Sequence, residues 1–483
     1  MNVPAKSCRW GWVAAGLVLL VGWAAVGSVA FAGEEAARRP NMIFILVDDM
    51  GYNDLSFTGQ QNFSTPRLDR MAEEGLFFSD HYAGSTVCAP SRAALLTGNH
   101  TGRVYQRGNT IPGPPPREIQ FRRDPHDITI ATRLKQVGYH TAMIGKSGLA
   151  CNSDDAELPN DKGFDHFFGF LAHRAAHRHY PTHLHRNGQQ IAIEGNHGKE
   201  GAHYAGDLFL EDVLDYLGQR AQGEQPFFLH FAMQQPHADL AAPDAFRDRF
   251  VGRFDDEVPH PEGRHYRAET HPKATYAAMI AYVDHSVGKV LDRLVELGIA
   301  ENTLVLFSSD NGSYSEGGYH YSMFGSNDPY RGGKRDLYEG GIRVPTIAWW
   351  PGTIAAGSVS SHPSAFWDFP PTALELAGVP VPDTMDGISY LSTLLGRHDQ
   401  QQAHTYLYWE FYEQGGKQAI RYGDWKGVRL DVLRQPGQPL ELYHVADDPG
   451  EENDLAEEHP QIVEKLEQLM REAHQPSEHF SMP

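Results

Sequence analysis

The chain has 483 residues, 41% of them hydrophobic, with 48 glycines and 31 prolines. That is enough to bury a large core in more than one domain, and so loop-rich a composition points away from a helical bundle and toward an α/β enzyme. Its 41 Lys and Arg stand against 62 Asp and Glu, a formal net charge of −21. The bulk field therefore repels nucleic acid, and an anionic substrate has to be met by a metal ion or by a few clustered basic residues. Three cysteines are too few for a disulfide scaffold in a chain of this size.

Lys6 and Arg9 precede an apolar run from Trp12 to Val29, and Ala30-Phe31-Ala32 fits small-residue cleavage before Gly33. Residues 1–32 are read as a signal peptide, which predicts an exported protein, periplasmic or extracellular. If retained, the run would be a membrane anchor. Cys8 leaves with this segment, and Cys88 and Cys151 are taken as unpaired.

Met42 to Val47 (MIFILV) reads as a strand buried on both faces of a parallel sheet. It ends in Asp48-Asp49, adjacent carboxylates that suit a hard cation or, alternatively, a solvated capping turn. Thr65 to Gly75 has helical spacing and a glycine stop, and Leu76 to His81 reads as a short strand. In Cys88-Ala89-Pro90-Ser91-Arg92, Pro90 and Ser91 start a helix with Ala93 to Leu96 as its body and Gly98 as its stop. Cys88 then lies just ahead of a helix N-terminus, where free N–H groups favour an anion, and Arg92 can turn its guanidinium to the same spot. A lone free cysteine is more often a small buried hydrophobe than a nucleophile.

Asp127 to Val137 reads as a helix capped by Asp127, and His140 to Ile144 as a strand leading to Gly145-Lys146. Phe164 to Asn187 is crowded with aromatics and histidines but has no HExxH spacing; it is read as a loop, solvated or facing substrate. Tyr204 to Gly218 is a helix. Pro226 to Ala232 is a buried strand running into Gln234-Gln235-Pro236-His237, and Thr275 to Leu297 is a long amphipathic helix. Thr303 to Phe307 is a strand followed by Asp310-Asn311. Tyr330 to Val344 is a glycine-rich basic loop around Lys334, and Ile342 to Trp349 is a further strand.

Five apolar runs thus end in, or follow, residues able to bind metal or anion: Asp48 and Asp49, Lys146, His237, Asp310 and Asn311, and Lys334. In open α/β sheets sites lie at the carboxyl ends of the strands, so the convergence outweighs what each residue says alone. From about residue 400 the pattern changes to short strands (406–411, 418–422, 424–430, 440–445) and a helix from Pro460 to Ala473. The expected organisation is a catalytic α/β domain over 33–400 and an antiparallel sheet with one helix over 401–483.

The chain resembles the type I sulfatases of the alkaline phosphatase superfamily. The resemblance is carried by Cys88-Ala89-Pro90-Ser91-Arg92 with Thr97-Gly98, Asp48-Asp49, Asp310-Asn311-Gly312, Lys334 ahead of Glu339-Gly340-Gly341-Ile342-Arg343-Val344-Pro345, Gly423-Asp424-Trp425-Lys426 and Asp448-Pro449-Gly450-Glu451. It implies an alkaline phosphatase-like fold with a large, mixed, mostly parallel sheet flanked by helices. It also implies a Cys88 oxidised by a formylglycine-generating or equivalent maturation enzyme, whose hydrated form attacks sulfur and then expels sulfate. Asp48, Asp49, Asp310, Asn311 and the residue-88 oxygen are implied ligands of one divalent cation, usually calcium. Arg92, Lys146 and Lys334 are implied to hold the sulfate, and His237 to protonate the leaving alcohol. A sulfated carbohydrate, or another small sulfated molecule, is the implied substrate. A phosphate or phosphonate ester hydrolase is one alternative; a non-catalytic binder of sulfated glycans, with Cys88 unconverted, is the other. The family often reads G-K-W-H-L-G where this chain has Gly145-Lys146-Ser147-Gly148-Leu149-Ala150, so a histidine that assists sulfate release is missing at Gly148. His177 is the expected replacement or substrate contact.

Overall fold

The computed structural model describes residues 39–112, 117–118, 128–150, 157–263 and 265–482, with side chains omitted at 117–118 and 149–150. Residues 1–32 (read as a signal peptide), Asp127 and Cys151 lie outside these residues. Ten strands form one sheet: β1 (Asn41–Asp48), β2 (Leu76–Phe78), β3 (His140–Ala150), β4 (His166–Ala172), β5 (His183–Arg186), β6 (Gln189–Ala192), β7 (Phe227–Pro236), β8 (Thr303–Ser309), β9 (Thr346–Trp349) and β10 (Ser358–Ser360). Their order is β10-β2-β9-β8-β1-β7-β3-β4-β5-β6. The central run β8-β1-β7-β3-β4 is parallel throughout, and antiparallel pairs appear only toward the margins.

Every residue of β1 is buried. Ile43, Ile45 and Val47 feed one core, with α1 (Pro66–Glu73), α4 (Ala205–Arg220) and α5 (Pro272–Glu296) packed over it. Met42, Phe44 and Leu46 feed the opposite core, under α2 (Cys88–Thr97), α3 (Ile130–Gln136) and α6 (Phe369–Leu376). The period-2 alternation of a strand thus divides one apolar run between two layers of helices.

A second, antiparallel sheet comprises β11 (Leu407–Phe411), β12 (Lys417–Tyr422), β13 (Trp425–Arg429) and β14 (Glu441–His444). Helix α7 (Pro460–Ala473) covers one face through Leu466, Leu469 and Met470. The other face places Trp409, Phe411 and Val428 against Val87 and Ala94, so α2 is held between the two sheets. All ten residues of α2 are buried.

Five local readings need correction. Helix α2 begins at Cys88 itself, because Val87 is the extended N-cap and Pro90 is accommodated inside the first turn. Gly98 ends it in the left-handed conformation, as expected (φ 81°). Helix α3 is capped by the side chain of Thr129, which accepts from Thr132 N–H. Strands β3 and β7 run on to Ala150 and Pro236, because Gly145 lets the backbones close up: a Cβ there would stand 1.9 Å from Ala232 O. The histidine-rich segment is not a loop; it supplies β4, a short 3-10 turn at Ala175–His177 and β5. Strand β9, expected from Ile342, begins only at Thr346, since Glu339–Ile342 turns helically.

Candidate active site

The register of β1 with β8 pairs Val47 with Ser309, which sets Asp48 and Asp49 beside Asp310 and Asn311. The register with β7 sets Asp48 opposite Pro236, one residue before His237. Asp49 adopts a left-handed φ of 67°, which a short polar side chain tolerates. Its N–H donates to Asp310 Oδ1 at 3.1 Å, and Met50 N–H donates to Ser309 Oγ at 2.8 Å. The chain after this turn is held by Asp54, whose carboxyl accepts from Gly51 N–H (2.8 Å), Tyr276 OH (2.5 Å) and Ser326 OH (2.6 Å).

Burial pushes the Asp54 carboxyl up to about 7 despite those hydrogen bonds. The folded state therefore keeps a proton that the unfolded chain releases near pH 4, and this group's stabilisation fades as pH rises from 4 to 7. Asp54→Asn should show a shallower fall of thermal midpoint than the wild type between pH 4.5 and 7.5, and parallel curves would contradict this.

Three buried carboxylates meet three buried cations. Arg92 directs Nε and Nη2 at Asp310 Oδ2 (3.0 and 2.8 Å) and Nη1 at the Lys146 carbonyl (2.9 Å). Lys146 Nζ donates to Asp48 Oδ2 at 2.5 Å, and Lys334 Nζ to Asp49 Oδ2 at 2.7 Å. Cys88 Sγ lies 3.2 Å from Asp48 Oδ1 and 3.9 Å from Asp49 Oδ1. Lys334 Nζ also stands 3.1 Å from His237 Nε2, while His237 Nδ1 faces the Ala238 carbonyl.

The electrostatics show a crowded anionic centre. Burial and the neighbouring Asp48 charge raise Asp310 to about 7. Burial likewise raises Asp49, against the pull of Lys334. For Asp48 burial is overcome: Lys146, His237, Arg92 and Lys334 hold it well below the usual carboxylate range. Burial, with the Asp310 and Asp48 charges, pushes the Cys88 thiol well up, so the unmodified side chain is a neutral thiol.

These residues fit a hard cation. Ligand atoms of Asp48, Asp49, Cys88 and His237 all lie within 4.8 Å of one another. Asn311 donates Nδ2 to Asp49 Oδ1 (2.7 Å) and to the Gly312 carbonyl (2.9 Å), while its buried Oδ1 has no hydrogen-bond donor. Burying an unpaired amide oxygen costs about 1–3 kcal/mol, a cost that an oxygen-seeking cation removes.

The structure brings together every site residue expected from sequence. Lys146 is placed differently from the reading, inside β3 rather than beyond its end. His177 stacks face to face on His237, with ring centroids 4.2 Å apart, and its buried Nε2 has no hydrogen-bond partner. His173 stands edge-on to His177, with ring centroids 5.2 Å apart, and two other histidines of the segment are bonded elsewhere. His166 pairs with Asp212 at 2.6 Å, and His179 bonds Gln234 and the His237 carbonyl. Residues around the opening were missed: Asn109, Tyr266, Glu316, Arg335 and Glu413. None lies beside a signature motif except Arg335, and only Arg335 adjoins a residue singled out from sequence.

Gly148 has a left-handed φ of 68°, and a Cβ there would stand 2.9 Å from Arg92 Cδ. The room a side chain would need is taken by the Arg92 stem. Gly148→Ala should therefore cost about 1–2 kcal/mol of backbone strain. By displacing Arg92 it should also lower kcat/KM by at least about tenfold. Steady-state kinetics and a melting curve check both; wild-type kinetics would exclude the packing argument.

A buried carboxylate cluster, a nucleophile-type side chain at a helix N-terminus and a basic cradle, all at the carboxyl edge of a parallel sheet, define a hydrolase of oxyanion esters. The comparisons specify the family. Residues 40–379 match the Sulfatase family model, and residues 332–476 match the model of the N-sulphoglucosamine sulphohydrolase C-terminal region. The chain belongs to the sulfatase family and is a sulfuric ester hydrolase. It is 30% identical to human N-acetylgalactosamine-6-sulfatase over 483 residues, covering 90% of this chain and 85% of that one. It is 28% identical to an N-acetylgalactosamine-6-O-sulfatase of Bacteroides thetaiotaomicron over 508 residues, 90% and 93% of the two chains. Among solved structures, Ps i-CgsB in complex with k-i-k-neocarrahexaose superposes with a TM-score of 0.74 at 26% identity, covering 92% of this chain and 95% of that one.

Proposed function

We propose that this chain is an exported sulfatase that cleaves sulfate monoesters on carbohydrates, using a formylglycine made from Cys88 by a maturation enzyme. The observation that carries this is Cys88 against Asp48 and Asp49, with Asp310 Oδ1 accepting from the Asp49 N–H and Asn311, its own Oδ1 unpaired, bonded to Asp49 Oδ1. Asp48, Asp49, Asp310 and Asn311 would hold one divalent cation, calcium by the preference of an all-oxygen set. When present, the cation and the formylglycine would supply an oxygen nucleophile ionised at neutral pH, which the buried thiol is not.

The other residues act directly. Arg92 fixes Asp310 and the Lys146 carbonyl, so the helix carrying residue 88 keeps its place over the carboxylates. Lys146 and Lys334, both buried cations, hold the ester oxygens and neutralise the charge that grows on them. His237 is assigned as the proton donor to the departing alcohol oxygen. Burial and the Lys334 charge hold its imidazole well below the usual range, and its Nδ1 faces the Ala238 carbonyl, so the proton it passes on is the one shared with Lys334 Nζ, 3.1 Å from Nε2. His177 packs on one face of the buried His237 ring and borders the substrate.

The carbohydrate reading is supported by the names of the relatives: N-acetylgalactosamine-6-sulfatase and N-acetylgalactosamine-6-O-sulfatase for two of them, and k-i-k-neocarrahexaose bound in the solved neighbour. The Lys6/Arg9, apolar run and Ala30-Phe31-Ala32 pattern supports export with cleavage before Gly33. Dialysis against a calcium chelator should abolish turnover of an aryl sulfate, and added Ca²⁺ should restore it. Full turnover by protein stripped of stoichiometric metal would refute the cation assignment.

A further inference from the structure

A continuous belt of polar, partly exposed side chains links the helix that carries Cys88 to Lys334 and His237. Asn109 Oδ1 accepts from Ala89 N–H at 3.0 Å, one residue from Cys88. Asn109 N–H faces Glu413 Oε1 at 3.4 Å. Glu413 Oε2 lies 3.9 Å from Arg335 Nε, and Arg335 Nη1 pairs with Glu316. Glu316 Oε2 accepts from Tyr266 OH at 2.6 Å and stands 3.7 Å from Lys334 Nζ. The Tyr266 ring lies parallel to His177 at 6.4 Å, and His177 to His237 at 4.2 Å.

The belt residues are all partly exposed, in contrast to the sealed catalytic groups beneath them. The side chains of Arg335, Glu413 and Glu316 are 29%, 30% and 15% accessible. The belt is also built rigidly. Arg335 is a non-glycine residue with a left-handed φ of 78°. It is held there because its N–H donates to the Thr86 carbonyl (3.0 Å) and its carbonyl accepts from Lys417 Nζ (2.6 Å). Such strain persists only where the surroundings enforce it, and it collects at functional sites. Glu413 comes from the hairpin between β11 and β12, so the C-terminal sheet contributes directly to the rim.

We propose that this belt, centred on Glu413, Glu316 and Tyr266, is the subsite that reads the hydroxyls of the sugar ring bearing the sulfate. Carboxylates accept two hydrogen bonds from neighbouring hydroxyls, the Tyr266 and His177 rings offer a flat apolar wall to a sugar face, and Asn109 can both donate and accept. Among the partly exposed belt residues Glu413 and Glu316 stand against the single Arg335 guanidinium, the buried Lys334 beneath them being paired with Asp49, so the face offered to a ligand is net negative. It therefore favours a ring whose other substituents are uncharged and disfavours one carrying a second sulfate or a carboxylate beside the scissile ester. The proposal rests on the carbohydrate reading above.

The test compares kcat/KM for an aryl sulfate, a panel of neutral sugar monosulfates and the matching disulfates, for the wild type, Glu413→Gln and Tyr266→Phe. Both variants keep the shape of the side chain, and melting curves check their folding. The ratio of monosulfate to aryl sulfate turnover should fall by about 10- to 100-fold in Glu413→Gln, the loss expected for hydrogen bonds to a charged acceptor. Tyr266→Phe should lower the same ratio, and Glu413→Gln should also narrow the discrimination against the disulfate. Equal losses on aryl and sugar substrates would mean that the belt only positions Lys334 and His237, and would overturn the subsite. Unchanged ratios would overturn it as well. A wild type that cleaves the aryl sulfate and no sugar in the panel would instead refute the carbohydrate reading, and the subsite with it.

Discussion

Arg92→Lys should lower kcat/KM for a sulfate ester by about 10²- to 10³-fold, although the charge is kept. The guanidinium makes three directed bonds from a fully buried position: two to Asp310 Oδ2 and one to the Lys146 carbonyl. An ammonium on a flexible stem cannot make all three in that geometry. Asp310 would then drift, and with it the N–H contact that fixes Asp49 and the place of Lys146 above Asp48. Because charge balance survives, the folded state should persist, so the loss should appear in turnover more than in the melting temperature. Turnover within about threefold of the wild type would show that the fork is dispensable.

The second large effect lies away from the chemistry. Lys426 Nζ, completely buried, is 2.9 Å from both Glu339 Oε1 and Glu451 Oε1. Glu339 also accepts from Tyr82 OH and from Arg343. Burial raises Glu451 to about 7, while Lys426, Arg343 and Arg421 overcome burial to keep Glu339 at about 2. Lys426→Met removes the cation and leaves two carboxyl groups facing each other in the interior, a change worth about 3–5 kcal/mol. For a unit of this size that is a drop of roughly 4 °C in the thermal midpoint. Activity should fall too. Glu339 opens the helical turn whose Gly341 carbonyl accepts from Gly312 N–H (3.1 Å), and Gly312 adjoins Asn311. Adding Glu451→Gln to Lys426→Met should recover part of the midpoint by removing one of the stranded charges. An unchanged midpoint in the single variant would contradict the account of how the C-terminal sheet is tied to the site.

What could be read from sequence divides along physical lines. The strands of the parallel centre were legible because burial on both faces writes a continuous apolar run, as in Met42–Val47 and Phe227–Ala232. Their polar ends were legible because a parallel sheet gathers all such ends on one edge. The candidate site residues followed from that rule together with the resemblance carried by the Cys88–Arg92 motif, and the structure places them beside one another. The misread places are those where tertiary contact, and not local pattern, sets the conformation. Strand β3 runs through Gly145 to Ala150 only because two backbones meet there without a side chain between them. The segment from His166 to Arg186 read as a loop because its crowd of histidines masked the buried aromatic run that forms β4, and because β5, toward the margin, is only partly buried. The belt was invisible for a different reason. Asn109, Tyr266, Glu316, Arg335 and Glu413 come from separate stretches of chain, and none carries a spacing that a sequence can display. Gly148 was legible only as a departure; its cause, the Arg92 stem in the space above it, required coordinates.

The most direct test of the central claim is the mass of the peptide containing Cys88, measured on protein from a preparation that hydrolyses a sulfate ester. The account predicts that residue 88 carries the mass of the aldehyde or its hydrate in the active fraction, and that turnover per molecule rises in proportion to that fraction. Full activity from protein whose residue 88 is entirely the unmodified thiol would contradict it.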